Sequence, residues 1–199
     1  ASSRLIVTAG IHDRFVEALS ERLAQARVGH ALDPATEIGP VVDADQLQSD
    51  LAWIETAQRE GAHLAVGGDR VSAETEGHFL APTLFTGTRN DMTVNQEEMF
   101  GPIACVIRVQ DADEALKVAN DTRFGLTAGI ITESLAAANT FRRGARFGCT
   151  MVNLPTAGTD YHVPFGGRGE SSYGPREQGQ YAREFYTQVK TSYVRTGEG

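Results

Sequence analysis

The sequence lacks the motifs by which many metal-binding and nucleotide-binding chains are recognised. Its 199 residues include only two cysteines, Cys105 and Cys149, which are not spaced as CxxC and lie in apolar, strand-like runs. They therefore indicate neither a zinc site nor a disulfide framework. No GxGxxG motif follows a predicted strand, and the glycine-rich stretch at residues 166–174 has no GK[ST] ending. The chain carries no nucleotide-binding fingerprint of its own.

Further absences narrow the class of protein. The five histidines are scattered without an i, i+4 partner, and no GxSxG elbow is present, so we predict no metal site and no serine-hydrolase site. No apolar run approaches the roughly 20 residues that cross a bilayer, and no basic segment precedes an apolar stretch as in an export signal. We therefore expect a cytoplasmic protein with no membrane partner.

Basic residues are also fewer than acidic residues. The chain has 18 Lys and Arg against 26 Asp and Glu, a formal net charge of −8. Such a balance repels phosphate backbones and anionic lipid, so we predict no nucleic-acid partner. Hydrophobic residues make up 41% of the chain, which is enough for one sizeable core.

Strand-like and helix-like patterns alternate as far as residue 153. Apolar or alternating runs predict strands, and apolar residues at helical spacing predict amphipathic helices. We predict strands or extended pieces at residues 3–7, 63–66, 79–85, 103–109, 127–132 and 149–153, and helices at residues 12–27, 43–61, 111–120 and 134–143. This order predicts an α/β fold with a mostly parallel sheet and helices on both faces. Because the sequence begins with Ala1 and enters the strand-like SSRLIV at once, we expect it to be cut from a longer protein.

The periodicity disappears between residues 154 and 175, where Gly, Pro and Ser are frequent. A connection far longer than the usual length of about 4–6 residues is typically functional. Residues 176–185 resume a helical pattern, and residues 188–195 alternate like a strand that has no neighbour in this chain. We therefore divide the chain into an α/β domain, residues 1–175, and a returning helix with a terminal strand, residues 176–199.

The most informative motif is NQEEMFGP at residues 95–102, where two carboxylates, an aromatic ring, a glycine and a proline precede a buried strand. It resembles the EE-hydrophobe-FGP signature of aldehyde dehydrogenases. Other pieces similar to that family follow in order: SSRLIV, DPATEIGPVVDADQ, GHFLAPTLF, FGLTAGI, MVN and PFGGRGESSYGPREQG. The resemblance covers nearly the whole chain and implies the carboxy-terminal, catalytic domain. The stretch at residues 157–179 is also similar to members that oxidise α-ketoglutarate semialdehyde (2,5-dioxopentanoate).

The resemblance implies two contacts to a nicotinamide cofactor. Glu98 matches the carboxylate that accepts hydrogen bonds from both hydroxyls of the nicotinamide ribose, a geometry that carboxylates suit well. Phe100 matches the ring that packs beside the same ribose and helps to position the reacting carbon. The cofactor is NAD or NADP, and the family binds it mainly through an amino-terminal domain that is not in this sequence.

The resemblance also implies a substrate segment. Residues 156–165, TAGTDYHVPF, match the family segment that lines the aldehyde tunnel. We expect Thr156, Ala157 and Gly158 to contribute to that lining and Phe165 to close the wall. The partner implied is therefore a small-molecule aldehyde.

No catalytic residue is expected within the chain itself. The family's nucleophilic cysteine, general-base glutamate and oxyanion asparagine precede the SSRLIV strand, so we expect this chain alone to be inactive. The resemblance matches residues 188–195 to a strand that pairs with a neighbouring subunit, which implies a homo-oligomer. Two alternatives stay open: a non-catalytic paralogue retained for assembly, and an acyl-phosphate or semialdehyde reductase of the same fold. The complete series of motifs disfavours the reductase.

Overall fold

The computed structural model describes residues 2–197. The strands are β1 (Arg4–Thr8), β2 (His63–Val66), β3 (Thr83–Thr88), β4 (Ile103–Val109), β5 (Thr127–Ile130) and β6 (Cys149–Val152). The α-helices are α1 (His12–Ala24), α2 (Ala44–Arg59), α3 (Thr93–Gln96), α4 (Ala112–Asn120), α5 (Leu135–Gly144) and α6 (Ala182–Tyr186), with 3₁₀ turns at Gly169–Ser171 and Gly179–Tyr181. The first compact unit comprises the chain up to Thr122 and Ser134–Ala145, and the second comprises Arg123–Glu133 and the chain from Arg146 onward.

The sheets are mostly parallel, which confirms the predicted fold class. In the first unit four strands are ordered β1-β4-β3-β2, with β4 parallel to both β1 and β3. Only β2 runs antiparallel, at the edge beside β3. In the second unit β5 and β6 form a parallel pair.

Helices cover both faces of the four-stranded sheet. Successive strand residues point to opposite faces, so Leu84 and Phe85 belong to different clusters. Phe85 and Cys105 pack with α2, which contributes the buried side chains of Leu47, Ile54 and Ala57. Leu84 and Val106 pack with α1, which contributes Phe15, Leu19 and Leu23. The prediction of helices on both faces is confirmed for this unit.

Local capping explains why several helices begin where the sequence predicts. The Asp43 carboxylate accepts from the Gln46 N–H at 2.8 Å, and the Asp111 carboxylate accepts from the Glu114 N–H at 2.9 Å. The Ser134 hydroxyl similarly accepts from Ala137 at 3.2 Å. Each cap satisfies an N–H that the first helical turn leaves without a partner.

One prediction near the carboxyl end is wrong in the structure. Residues 176–185 do not form one helix, because Glu177 is drawn into a β-bridge with Phe165 and regular helix starts only at Ala182. No strand forms at residues 188–195, where every residue is exposed. A strand requires a neighbour for its backbone groups, and alternation alone does not supply one. Pairing of this segment with another subunit stays a prediction.

The remaining differences concern the boundaries of two elements. Helix α1 ends at Ala24 rather than at residue 27, and the strand expected at residues 79–85 lies at Thr83–Thr88.

Across residues 2–197 no helix is long and apolar enough to span a membrane.

Candidate functional site

The segment between α3 and β4 carries the two predicted cofactor contacts. Glu98 is exposed and Phe100 is 78% exposed, whereas Met99 between them is buried in the core at 1%. Met99 therefore anchors the segment, and the carboxylate and the ring on either side of it reach solvent. The structure brings these two predicted residues together in one loop of the first unit.

Phe100 has an unusual backbone conformation. Its φ is 58°, in the left-handed region that an aromatic residue rarely adopts. Such a conformation costs about 1–3 kcal/mol and persists only where the surroundings enforce it, most often at functional sites. After it the chain is fixed again, because the Pro102 carbonyl accepts from the Thr83 N–H at 2.8 Å.

Helix α2 and the residue that follows it contact both this segment and the start of α3. The Gln46 side-chain amide donates to the Asp50 carboxylate at 2.8 Å and to the Met99 carbonyl at 3.3 Å. At the other end of α2, the Glu60 carboxylate accepts from the Thr93 N–H at 3.0 Å. Since α3 has no side-chain cap of its own, Glu60 supplies one from a neighbouring element.

Two carboxyl groups of α2 have shifted pKa values. Burial raises the pKa of Asp50, although the hydrogen bond from Gln46 opposes this. Burial also acts to raise the pKa of Glu60, but its hydrogen bonds from Thr93 and Val94 outweigh burial and the net shift is downward. Glu60 therefore favours the charged form that caps α3, whereas the surroundings of Asp50 disfavour its charged form.

None of these supporting residues is predicted from the sequence. Asp50 was detectable in principle, because it occupies the buried stripe of α2 together with Leu47, Ile54 and Ala57. A carboxylate at helical spacing among apolar residues is uncommon and indicates a specific role. Nothing in the local pattern distinguishes Gln46 or Glu60 from ordinary surface residues.

The predicted substrate segment belongs to the second unit and begins just after β6. Asn153, which has φ 56°, pairs its side-chain amide with the backbone of Thr132 through bonds of 2.8 and 2.9 Å. This clamp joins the carboxyl ends of β5 and β6. Thr156 is half-buried, and Ala157 and Gly158 are exposed.

Phe165 lies at the far end of the same segment and is half-buried. It exchanges two backbone hydrogen bonds with Glu177, of 2.8 and 3.0 Å. The next residue, Gly166, packs so closely against the backbone of Gly148 that a Cβ on Gly148 would lie 1.8 Å from the Gly166 carbonyl oxygen. The Arg176 guanidinium also donates to the Gly167 carbonyl at 2.8 Å. The structure thus places Thr156, Ala157 and Gly158 at one end of a loop and Phe165 at the other.

The two cysteines occupy strands, as predicted. Cys105 is fully buried in β4, and burial, together with the charge of Glu60, raises the pKa of its thiol to about 12. Because the thiolate is the nucleophilic form, Cys105 is poorly suited to attack a substrate. Cys149 is half-buried in β6, with its sulfur 3.9 Å from the Gly166 carbonyl. Among residues 2–197 no three His, Cys, Asp or Glu side chains are grouped as a metal site requires.

Comparison with known proteins agrees with the motifs and the fold. The model of the aldehyde dehydrogenase family matches residues 1–192, and the chain belongs to this family. The α-ketoglutaric semialdehyde dehydrogenase of Bacillus subtilis (strain 168) is 38% identical over 197 residues, which cover 98% of this chain and 40% of that protein. The α-ketoglutarate semialdehyde dehydrogenase of Haloferax volcanii is 44% identical over 196 residues, covering 97% of this chain and 40% of that protein.

A solved structure shows the same architecture. An aldehyde dehydrogenase from Bacillus cereus, determined as an NAD+ complex, matches with a TM-score of 0.90 and 33% identity over 98% of this chain and 39% of that chain. The chain spans about 40% of the length of the two curated relatives. The resemblance inferred from the sequence is therefore confirmed.

Proposed function

We propose that this chain is the carboxy-terminal, substrate-binding part of an NAD(P)-dependent aldehyde dehydrogenase, which oxidises an aldehyde to a carboxylate. Family membership supports the reaction class. The observation that carries the assignment of a cofactor contact is the loop that presents Glu98 and Phe100 to solvent on either side of the buried Met99.

The residues present fit the nicotinamide end of the cofactor. An exposed carboxylate can accept two hydrogen bonds from a ribose diol, and an exposed aromatic ring offers a flat apolar surface beside it. Glu98 and Phe100 would hold the nicotinamide end of the cofactor, which would supply the hydride acceptor for the oxidation. In this proposal Glu98 fixes the ribose and Phe100 limits its rotation, so that the reacting atoms are held in register.

We assign the contacts to the aldehyde to a segment of the second unit. Residues 156–165 orient the substrate, with Phe165 excluding water from one wall, and the nucleophile and general base come from the part of the enzyme that precedes this chain. The chain alone is therefore expected to oxidise no aldehyde. The names of the Bacillus subtilis and Haloferax volcanii relatives favour α-ketoglutarate semialdehyde as the substrate.

The alternative of an assembly module has its own supporting observation. Val189, Tyr193 and Val194 are 98%, 95% and 86% exposed. A strand-like segment with unpaired backbone groups and exposed apolar side chains is suited to pairing with another chain. We therefore propose that residues 188–195 contribute to a homo-oligomer of the full-length enzyme.

The cofactor role is tested by Glu98→Gln in the full-length enzyme. Charge-assisted hydrogen bonds contribute about 1.5–3 kcal/mol, so single-turnover hydride transfer should slow by roughly one to two orders of magnitude. Glu97→Gln is the matched control, because it neutralises the adjacent carboxylate in the same loop. Unchanged hydride transfer in Glu98→Gln, or equal slowing in both variants, would remove Glu98 from the site.

A further inference from the structure

We propose that Asp50 is a positioning residue that holds the loop carrying Glu98 and Phe100 in its cofactor-binding conformation. The consequence for cofactor binding rests on the function proposed above. Asp50 itself lies beneath the loop, on α2, and is not expected to touch the cofactor.

The location of Asp50 is not explained by helix stability. Its side chain is fully buried on the stripe of α2 that also buries Leu47, Ile54 and Ala57. Its Oδ1 accepts from Gln46 at 2.8 Å, but its buried Oδ2 has no hydrogen-bond partner among the described residues. Burying a carboxyl with an unsatisfied oxygen is unfavourable, so an apolar residue would serve the core better. The carboxyl therefore requires another explanation.

The contacts of Asp50 supply that explanation. A Cβ built on Gly101 would lie 2.3 Å from Oδ1 and 2.6 Å from Oδ2, so the carboxyl fills the space where a side chain at that position would point. Gln46 links the same Oδ1 to the Met99 carbonyl. The residues before and after Phe100 are therefore both in contact with the Asp50–Gln46 pair.

This arrangement accounts for the conformation of Phe100. A positive φ at an aromatic residue persists only where the surroundings enforce it, and the pair contacts Met99 before Phe100 and Gly101 after it. The raised pKa of Asp50 is consistent with a role that depends on shape and hydrogen bonding rather than on negative charge. An asparagine, which keeps the shape and an acceptor for Gln46, should therefore replace Asp50 well, whereas a leucine of similar bulk should not.

The test compares Asp50→Leu, Asp50→Asn and Ile54→Val in the full-length enzyme. Ile54→Val deletes one buried methylene from the same stripe, so it controls for general loosening of the core. We expect Asp50→Leu to raise the KM for the cofactor about tenfold, equivalent to about 1.4 kcal/mol, with little change in the KM for the aldehyde. Asp50→Asn should restore most of the loss, and Ile54→Val should leave the cofactor KM near its original value.

Hydrogen exchange provides a second measurement that does not depend on the enzyme's activity. In Asp50→Leu, the amides of residues 97–101 should exchange faster than in the unaltered enzyme, whereas Asp50→Asn should leave them protected. An unchanged exchange rate or an unchanged cofactor KM in Asp50→Leu would overturn the proposal, as would equal effects of Asp50→Leu and Ile54→Val. If Glu98→Gln has no effect on hydride transfer, the proposed function fails, and the exchange experiment alone decides whether Asp50 holds the loop.

Discussion

The segment that we assign to the cofactor and the segment that we assign to the substrate are held in different ways. The cofactor segment, residues 93–101, is fixed by side chains of one helix, through Glu60 at its start and Gln46 and Asp50 at its end. The substrate segment, residues 156–165, is preceded by Asn153, whose side-chain amide pairs with the Thr132 backbone, and it ends at Phe165, which exchanges backbone hydrogen bonds with Glu177. A loop held only near its ends can change its middle residues without losing those bonds. We infer that the first segment keeps one geometry, whereas the second is suited to varying with the substrate.

The largest expected effect tests the backbone packing just after the substrate segment. Gly148→Ala would place a Cβ 1.8 Å from the Gly166 carbonyl oxygen. Because backbone atoms must move to relieve this contact, we expect a loss of about 3 kcal/mol of stability in the full-length enzyme, measured as a lower urea midpoint. Truncating the nearby Arg176 side chain should not restore it. Full recovery in the Gly148→Ala, Arg176→Ala double variant would contradict the idea that this packing depends on the backbone.

The next effect tests the side-chain-held segment. Gly101→Ala would place a Cβ 2.3 Å from the Asp50 carboxylate, and we expect a loss of about 2 kcal/mol. Here the opposing atoms belong to a side chain, so Asp50→Ala should recover much of the loss. A double-mutant cycle measures this coupling, which we expect to be about 1 kcal/mol or more. Strict additivity of the two substitutions would show that the carboxyl does not constrain Gly101.

Features that depend on contacts between residues close together in the sequence could be predicted. Features that depend on contacts between distant residues could not. The starts of α2, α4 and α5 were predictable, because Asp43, Asp111 and Ser134 cap residues that follow directly in the chain. The motif predicts the cofactor role of Glu98 and Phe100, which stays a prediction. The conformation of the segment was not predictable, because the left-handed Phe100 depends on contacts of α2 with Met99 and Gly101, far away in the sequence.

A distant contact also explains the wrong helix prediction near the carboxyl end. Residues 176–185 have a helical pattern, but the bridge between Glu177 and Phe165 removes the first residues from any helix. For residues 188–195 the pattern predicts a strand, yet no partner for it is present in the described chain. Local patterns located most strands and helices, but they did not reveal the distant contact of Phe165 that removes Glu177 from a helix.

A smaller effect concerns the other support of the cofactor segment, Glu60. Its hydrogen bonds lower the pKa of the carboxyl in the folded state, so its stabilisation is present above the unfolded pKa of about 4.3 and is lost as the pH falls through the folded value. Glu60→Gln should therefore reduce stability by about 1 kcal/mol at pH 7, and the difference should disappear in acid. Thermal unfolding of both proteins from pH 7 to pH 3 measures this. A difference that persists at pH 3 would show that Glu60 does not act through its charge.

The most direct test of the account compares two identical truncations, Phe100→Ala and Phe165→Ala, in the full-length enzyme. Aromatic contacts of this kind contribute about 1 kcal/mol, so each variant should raise one KM about fivefold. The account predicts that Phe100→Ala raises the KM for the cofactor and leaves that for the aldehyde nearly unchanged, and that Phe165→Ala does the reverse. If both variants raise the same KM, or if neither changes either one, the division between a cofactor segment and a substrate segment is contradicted.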